Sequence, residues 1–111
     1  MIPVEHNLSA TRGEFITLTI GYNSEVEPED LFSCVRKFTW DERYIAKFNI
    51  AVSKDNLAAG ERCRIILSLD TKELSAGRYA WDLFIWAGSR PVKCLVKGQL
   101  TILEGVSNRG K

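Results

Sequence analysis

A chain of 111 residues makes one domain, which hides about 65% of its unfolded surface and so holds a single core. It is 45% hydrophobic and 26% charged, an ordinary globular composition, and 15 basic against 14 acidic residues leave a net charge of +1, which does not advertise a nucleic-acid or membrane binder. No apolar run approaches the roughly 20 residues of a membrane span, MIPVEHNLSATRGE lacks the blocks of a secretion signal, and three scattered cysteines without a CxxC pair do not build a zinc or complete disulfide framework.

The first 13 residues read as a polar N-terminal arm. RGEFITLTIGY (12–22) then alternates Ile16, Leu18 and Ile20 on one face with Phe15, Thr17 and Thr19 on the other, the period of a strand. NSEVEPED (23–30) gathers four acids and Pro28, an exposed loop. LFSCVRKFTW (31–40) is rich in β-formers with mixed faces and is expected as a strand.

YIAKFNIAV (44–52) sets Tyr44, Ala46, Phe48, Ile50 and Val52 on one face, and RCRIILSLD (62–70) sets Cys63, Ile65, Leu67 and Leu69 on one face. TKELSAG (71–77) predicts one helical turn starting near Thr71 and ending at Gly77. The next strand divides into a core face, Tyr79, Trp81, Leu83 and Ile85, and an outer face, Ala80, Asp82, Phe84 and Trp86. After a tight reversal at AGSRP (87–91), PVKCLVKGQLTIL (91–103) sets Val92, Cys94, Val96, Leu100 and Ile102 on one face, with Gly98 marking a bulge or a close approach. Residues 105–111 form a polar tail around a domain spanning 14–104.

The pattern predicts an all-β protein, an immunoglobulin-like antiparallel β-sandwich of about seven short strands with at most one short helical turn. A barrel of similar strand count is the alternative, because periodicity does not say which edges meet.

Chemistry is sparse. The sole histidine, His6, lies in the arm with no nucleophile motif to pair with it. The acids Glu25, Glu27, Glu29 and Asp30 lack the ligand spacing and flexible glycine of a calcium loop, because Pro28 stands among them. No phosphate-binding glycine loop is present, and no cofactor, metal or small-molecule substrate is expected. Cys34 and Cys94 are spaced like the bridging cysteines of an antibody domain, but Trp40 follows Cys34 too closely and Val92 stands where a tyrosine belongs, so no bridge is expected.

What remains is surface. Phe84 and Trp86 point away from the predicted core face and are covered by each other, by a loop or by another subunit; Trp40 and Phe15 are further interface candidates. A glycan platform would also use flat aromatics, and here only Asp82 is clearly placed beside them.

RGE before an alternating strand, an acidic loop closing on Asp30 and Leu31, LSLDTKELSAGRYAWDL, a turn and KGQLTIL together resemble the small immunoglobulin-like domain of bacteriophage tail and baseplate proteins, the domain type at the N-terminus of baseplate upper proteins. The resemblance spans residues 12–106 and is carried by Thr71, Leu74, Ala76-Gly77, Tyr79, Asp82-Leu83, Gly98, Leu100 and Ile102; Phe38-Thr39-Trp40 departs from it, where more polar residues are common. It implies a non-enzymatic virion structural protein of the tail, baseplate or neck, assembled in the bacterial host cytoplasm with reduced thiols. Its partners would be other virion proteins in a symmetric multi-copy assembly, without nucleic acid or membrane. An adhesion or glycan-binding module using the exposed aromatics is the alternative function.

Overall fold

The computed structural model describes residues 4–38 and 43–104. Trp40 lies outside the described residues. Among the described residues nine strands form two sheets: β1 (Val4–Glu5), β2 (Leu8–Thr11), β3 (Phe15–Tyr22), β4 (Leu31–Arg36), β5 (Ala46–Lys47), β6 (Asn49–Ser53), β7 (Cys63–Asp70), β8 (Gly77–Ala87) and β9 (Arg90–Leu103). The larger sheet runs β1–β9–β8–β4–β5, with β2 also on β9, and the smaller runs β3–β7–β6. Placing β4, β8 and β9 in one layer and β3, β7 and β6 in the other is the strand order of an immunoglobulin-like sandwich.

Alternation explains the core. Ile65 and Leu67 of β7 are fully buried against Leu83 of β8 and Leu100 and Ile102 of β9, while Arg64, Ile66 and Ser68 face outward. Each such aliphatic side chain stabilises the fold by about 1.5–3 kcal/mol through area removed from water. Trp81 is also buried and its ring tilts against Phe48 at 5.5 Å between centroids. Tyr79, two residues before Trp81, donates its hydroxyl to the Ser75 carbonyl at 2.7 Å, the corner that starts the corresponding strand of immunoglobulin domains. Trp81 therefore occupies the place of the second bridging cysteine, and Cys34, Cys63 and Cys94 are all free.

Several expectations change on folding. The run 44–52 is two strands: β5 pairs with β4, β6 pairs with β7, and Phe48 between them donates its N–H to the Ser33 carbonyl at 2.9 Å as the chain changes sheets. Tyr44 leaves the core face for the outer face of the larger sheet, where its ring packs on Phe32. Two register shifts, at Leu83/Phe84 and Ile85/Trp86, put extra residues into β9, so Leu95 and Val96 are both buried while Val92 is 62% exposed and Cys94 half-buried.

The expected helical turn at Thr71 is a single 3₁₀ turn, Thr71–Glu73, with the Asp70 carboxylate accepting from the Lys72 N–H at 3.0 Å; it ends at Leu74, and Gly77 instead opens β8 with φ 148. A second 3₁₀ turn, Pro28–Asp30, forms in the acidic loop, where proline sets the first helical φ. Thr71 is fully buried, its hydroxyl donating to the Glu14 carbonyl at 2.7 Å and accepting from the Gly13 N–H at 2.9 Å.

The N-terminal segment is not a free arm. β1 and β2 pair with β9 in parallel, Val4 opposite Val96 and Leu8 through Thr11 opposite Leu100 through Leu103, so the larger sheet is mixed rather than purely antiparallel. Between them His6 crosses Gly98, where any β-carbon would collide with the His6 carbonyl. That carbonyl accepts the Trp81 indole N–H at 2.9 Å. The close approach read from Gly98 is thus a backbone, held in place by a core tryptophan.

Candidate interaction face

The outer face of the larger sheet is set by the residues that alternate with its core. On β4 these are Phe32, Cys34 and Arg36, and on β8 Ala80, Asp82, Phe84 and Trp86; the register sets Phe32 beside Phe84, Cys34 beside Asp82 and Arg36 beside Ala80. Phe84 and Trp86 are half-buried, and Phe15 lies elsewhere, 62% exposed at the start of β3 on the smaller sheet.

The aromatics form a chain of edge contacts. Trp86 meets Phe32 at 5.9 Å and 71°, and Phe32 meets Tyr44 at 5.5 Å and 70°. Edge-to-face pairs of this kind contribute about 0.5–1.5 kcal/mol beyond their buried area. The two-residue reversal Gly88-Ser89 closes the strands beside Trp86, with Gly88 at φ 63, the first-position glycine of a tight hairpin. Phe32, Tyr44, Trp86 and Arg36 wall a recess of ≈ 440 Å³ together with Glu29 and Gly88. The Trp86 Nε1–H is shielded from solvent and has no acceptor among the described residues.

Beside this patch lies a polar one. Arg36 Nη1 donates to Asp82 Oδ2 at 3.0 Å, and the Cys34 thiol donates to Asp82 Oδ1 at 3.8 Å. Burial raises the Asp82 carboxyl above its usual range despite the opposing pull of Arg36. Burial, reinforced by the Asp82 charge, pushes the Cys34 thiol up to about 12, which makes it a packing group rather than a nucleophile. Burial also raises Cys94. Arg36, Asp82, Phe84, Cys94 and Lys97 border a second recess of ≈ 410 Å³, sharing Arg36 with the first.

Of the residues singled out in the sequence, Phe84 and Trp86 share this face, Phe15 does not join them, and Trp40 is outside the described residues. Phe32 and Tyr44 were missed. Phe32 carried a usable signal, since it alternates with Leu31, Ser33 and Val35; Tyr44 carried none, because it lies ahead of β5, outside the strands whose core face Ala46, Phe48, Ile50 and Val52 keep. His6 acts through its backbone carbonyl. Among the described residues no three histidine, cysteine or acidic side chains converge as a metal site.

No family model matches the chain. Among curated proteins, an uncharacterized calcium-binding protein of Caenorhabditis elegans is 32% identical over 50 residues, which is 45% of this chain and 14% of the nematode protein.

Proposed function

We propose that this chain is a non-enzymatic structural module of a bacteriophage virion, a tail, baseplate or neck component that docks on neighbouring virion proteins through the outer face of its larger sheet. The observation that carries the docking role is the edge-packed row Trp86, Phe32 and Tyr44 around an open recess. A row of rigid aromatics costs little conformational entropy to order and forms the usual anchor of a protein interface. The Trp86 N–H adds to this: a buried donor without an acceptor costs about 1–3 kcal/mol, and a partner carbonyl reached by a small ring rotation would recover it.

The virion context rests on the resemblance of residues 12–106, whose motif residues have structural roles here: Thr71 ties the turn to Gly13 and Glu14, Tyr79 forms the corner, and Gly98 admits the N-terminal strand. The Asp82 carboxylate is engaged by Arg36 and Cys34, which leaves a glycan platform without the free polar group it would use beside the aromatics. Calcium binding is not carried over from the nematode protein, of which the match covers 14%.

The test is incorporation. Mass spectrometry of purified particles of the source virus detects this polypeptide at fixed stoichiometry, and Trp86→Ala weakens docking by about thirtyfold, the loss of one anchor, with circular dichroism unchanged. Absence of the polypeptide from the particles, or unaltered incorporation of the variant, overturns the reading.

A further inference from the structure

The smaller sheet ends at β3, whose outer backbone edge pairs with no strand among the described residues, because the N-terminal strands go to β9 instead. The inner-face residues record this opening. Leu18 and Ile20 of β3 are only half-buried, whereas Ile65 and Leu67 beside them on β7 are fully buried. A cleft of ≈ 510 Å³ runs along the edge, walled by five consecutive residues from Leu18 to Tyr22 on one side and by Val4 and Leu95 on the other. Consecutive lining residues mean that the backbone of β3, not just one of its faces, borders the opening.

Sheet edges are normally defended by charge, proline, bulges or brevity. β5 has two residues including Lys47, and β6 has five flanked by Lys47 and Lys54. The free edge of β9 is covered by β1 and β2. β3 has none of these defences: FITLTIGY is eight residues without a charge or a proline, in unbroken register with β7.

We infer that the β3 edge is a self-association surface, pairing antiparallel with β3 of a second copy across a two-fold axis at Leu18. A second copy fits because the strand is uncharged along its length, so self-pairing sets no like charges opposite one another. The register also matches faces. Residues directly opposite in an antiparallel pair point to the same side, so Ile16 meets the second copy's Ile20 and Leu18 meets its own equivalent on the inner side, completing cover over the cleft. On the outer side Thr17 meets Thr19. Phe15 comes opposite Gly21, beside the Glu61 side chain that folds over that glycine, giving the most exposed ring of the smaller sheet a neighbour. The association joins two smaller sheets into one and leaves the Trp86 face free for a different partner.

Sedimentation velocity on the full chain from low to high micromolar concentration tests it. The expected result is a dimer whose dissociation constant rises about thirtyfold with Thr17→Lys plus Thr19→Lys, which opposes like charges twice across the axis. Mixing that variant with Thr17→Glu plus Thr19→Glu restores a heterodimer. Trp86→Ala leaves the dimer intact, so this surface and the virion-docking face fail independently. In the unaltered protein, hydrogen exchange at the β3 amides slows as concentration rises, a readout free of any folding defect in the variants. A monomer throughout the range, higher oligomers, a dimer indifferent to the lysines, no heterodimer on mixing, or exchange independent of concentration overturns the inference.

Discussion

Substituting Gly98 by alanine sets a β-carbon against the carbonyl of His6, and because the obstacle is backbone it cannot rotate away. The N-terminal strand must lift from β9. Lifting breaks three hydrogen bonds around His6, besides the β1–β9 ladder at Val4 and Glu5: His6 N–H to the Lys97 carbonyl at 2.8 Å, the Trp81 indole to the His6 carbonyl at 2.9 Å, and the Gln99 N–H to Asn7 Oδ1 at 2.9 Å. At about 1 kcal/mol net each, these three alone cost about 3 kcal/mol. The loss is capped at the full cost of detaching the segment, which relieves the clash completely. The control is the same substitution in a chain lacking residues 1–7, where alanine meets no obstacle and is neutral or stabilising by up to roughly 0.5–1 kcal/mol. Urea unfolding of the four proteins gives the coupling energy as a double-mutant cycle. Equal costs in the full and shortened chains would refute the assignment of the strain to His6.

Thr71→Val removes a fully buried hydroxyl and strands the Gly13 N–H, while the Glu14 carbonyl keeps the Thr71 N–H at 3.2 Å, so unfolding measurements should show a loss of about 1–3 kcal/mol, with Thr71→Ser recovering most of it. For Asp82 the folded carboxyl titrates above its ordinary 3.8, so the native protein holds a proton that the unfolded chain has released. Its contribution to stability is therefore largest at low pH and falls as pH rises from about 4 through the raised value. The stability of the protein relative to Asp82→Asn should fall over that interval; a relative stability that rises would mean that Arg36, rather than burial, controls the group.

The strands with one constant partner face were the readable ones. β7 and the first half of β8 alternate cleanly because each stays in one sheet with one core side, and Tyr79, Trp81 and Leu83 are buried as their spacing requires. Periodicity counts residues, not pairs, which is why β9 misled. Its two extra residues reset which face points inward, and nothing local to Val92 or Leu95 announces a bulge. Likewise an extended chain keeps its two-residue period whichever sheet it pairs with, so the passage from β5 to β6 at Phe48 left no mark in the sequence. Gly98 was legible as a close approach, but not as an approach by His6 from 92 positions earlier in the chain, because a parallel pairing partner is chosen by the whole fold. Tyr44 was assigned to the wrong side because the period was extended to it from β5, which begins only at Ala46, and this hid the aromatic row until Phe32 and Trp86 were seen in space.

The parallel pairing of β2 with β9 also determines how the domain bears tension. Leu8 through Thr11 run alongside Leu100 through Leu103 in the same direction, so pulling on the two ends of the chain drags these strands past each other lengthwise. Every hydrogen bond between them is then loaded at once in shear, instead of parting one after another like a zipper. A module tethered on both sides of this pair resists extension better than the few contacts suggest, and its point of mechanical failure lies between β2 and β9 rather than in the core.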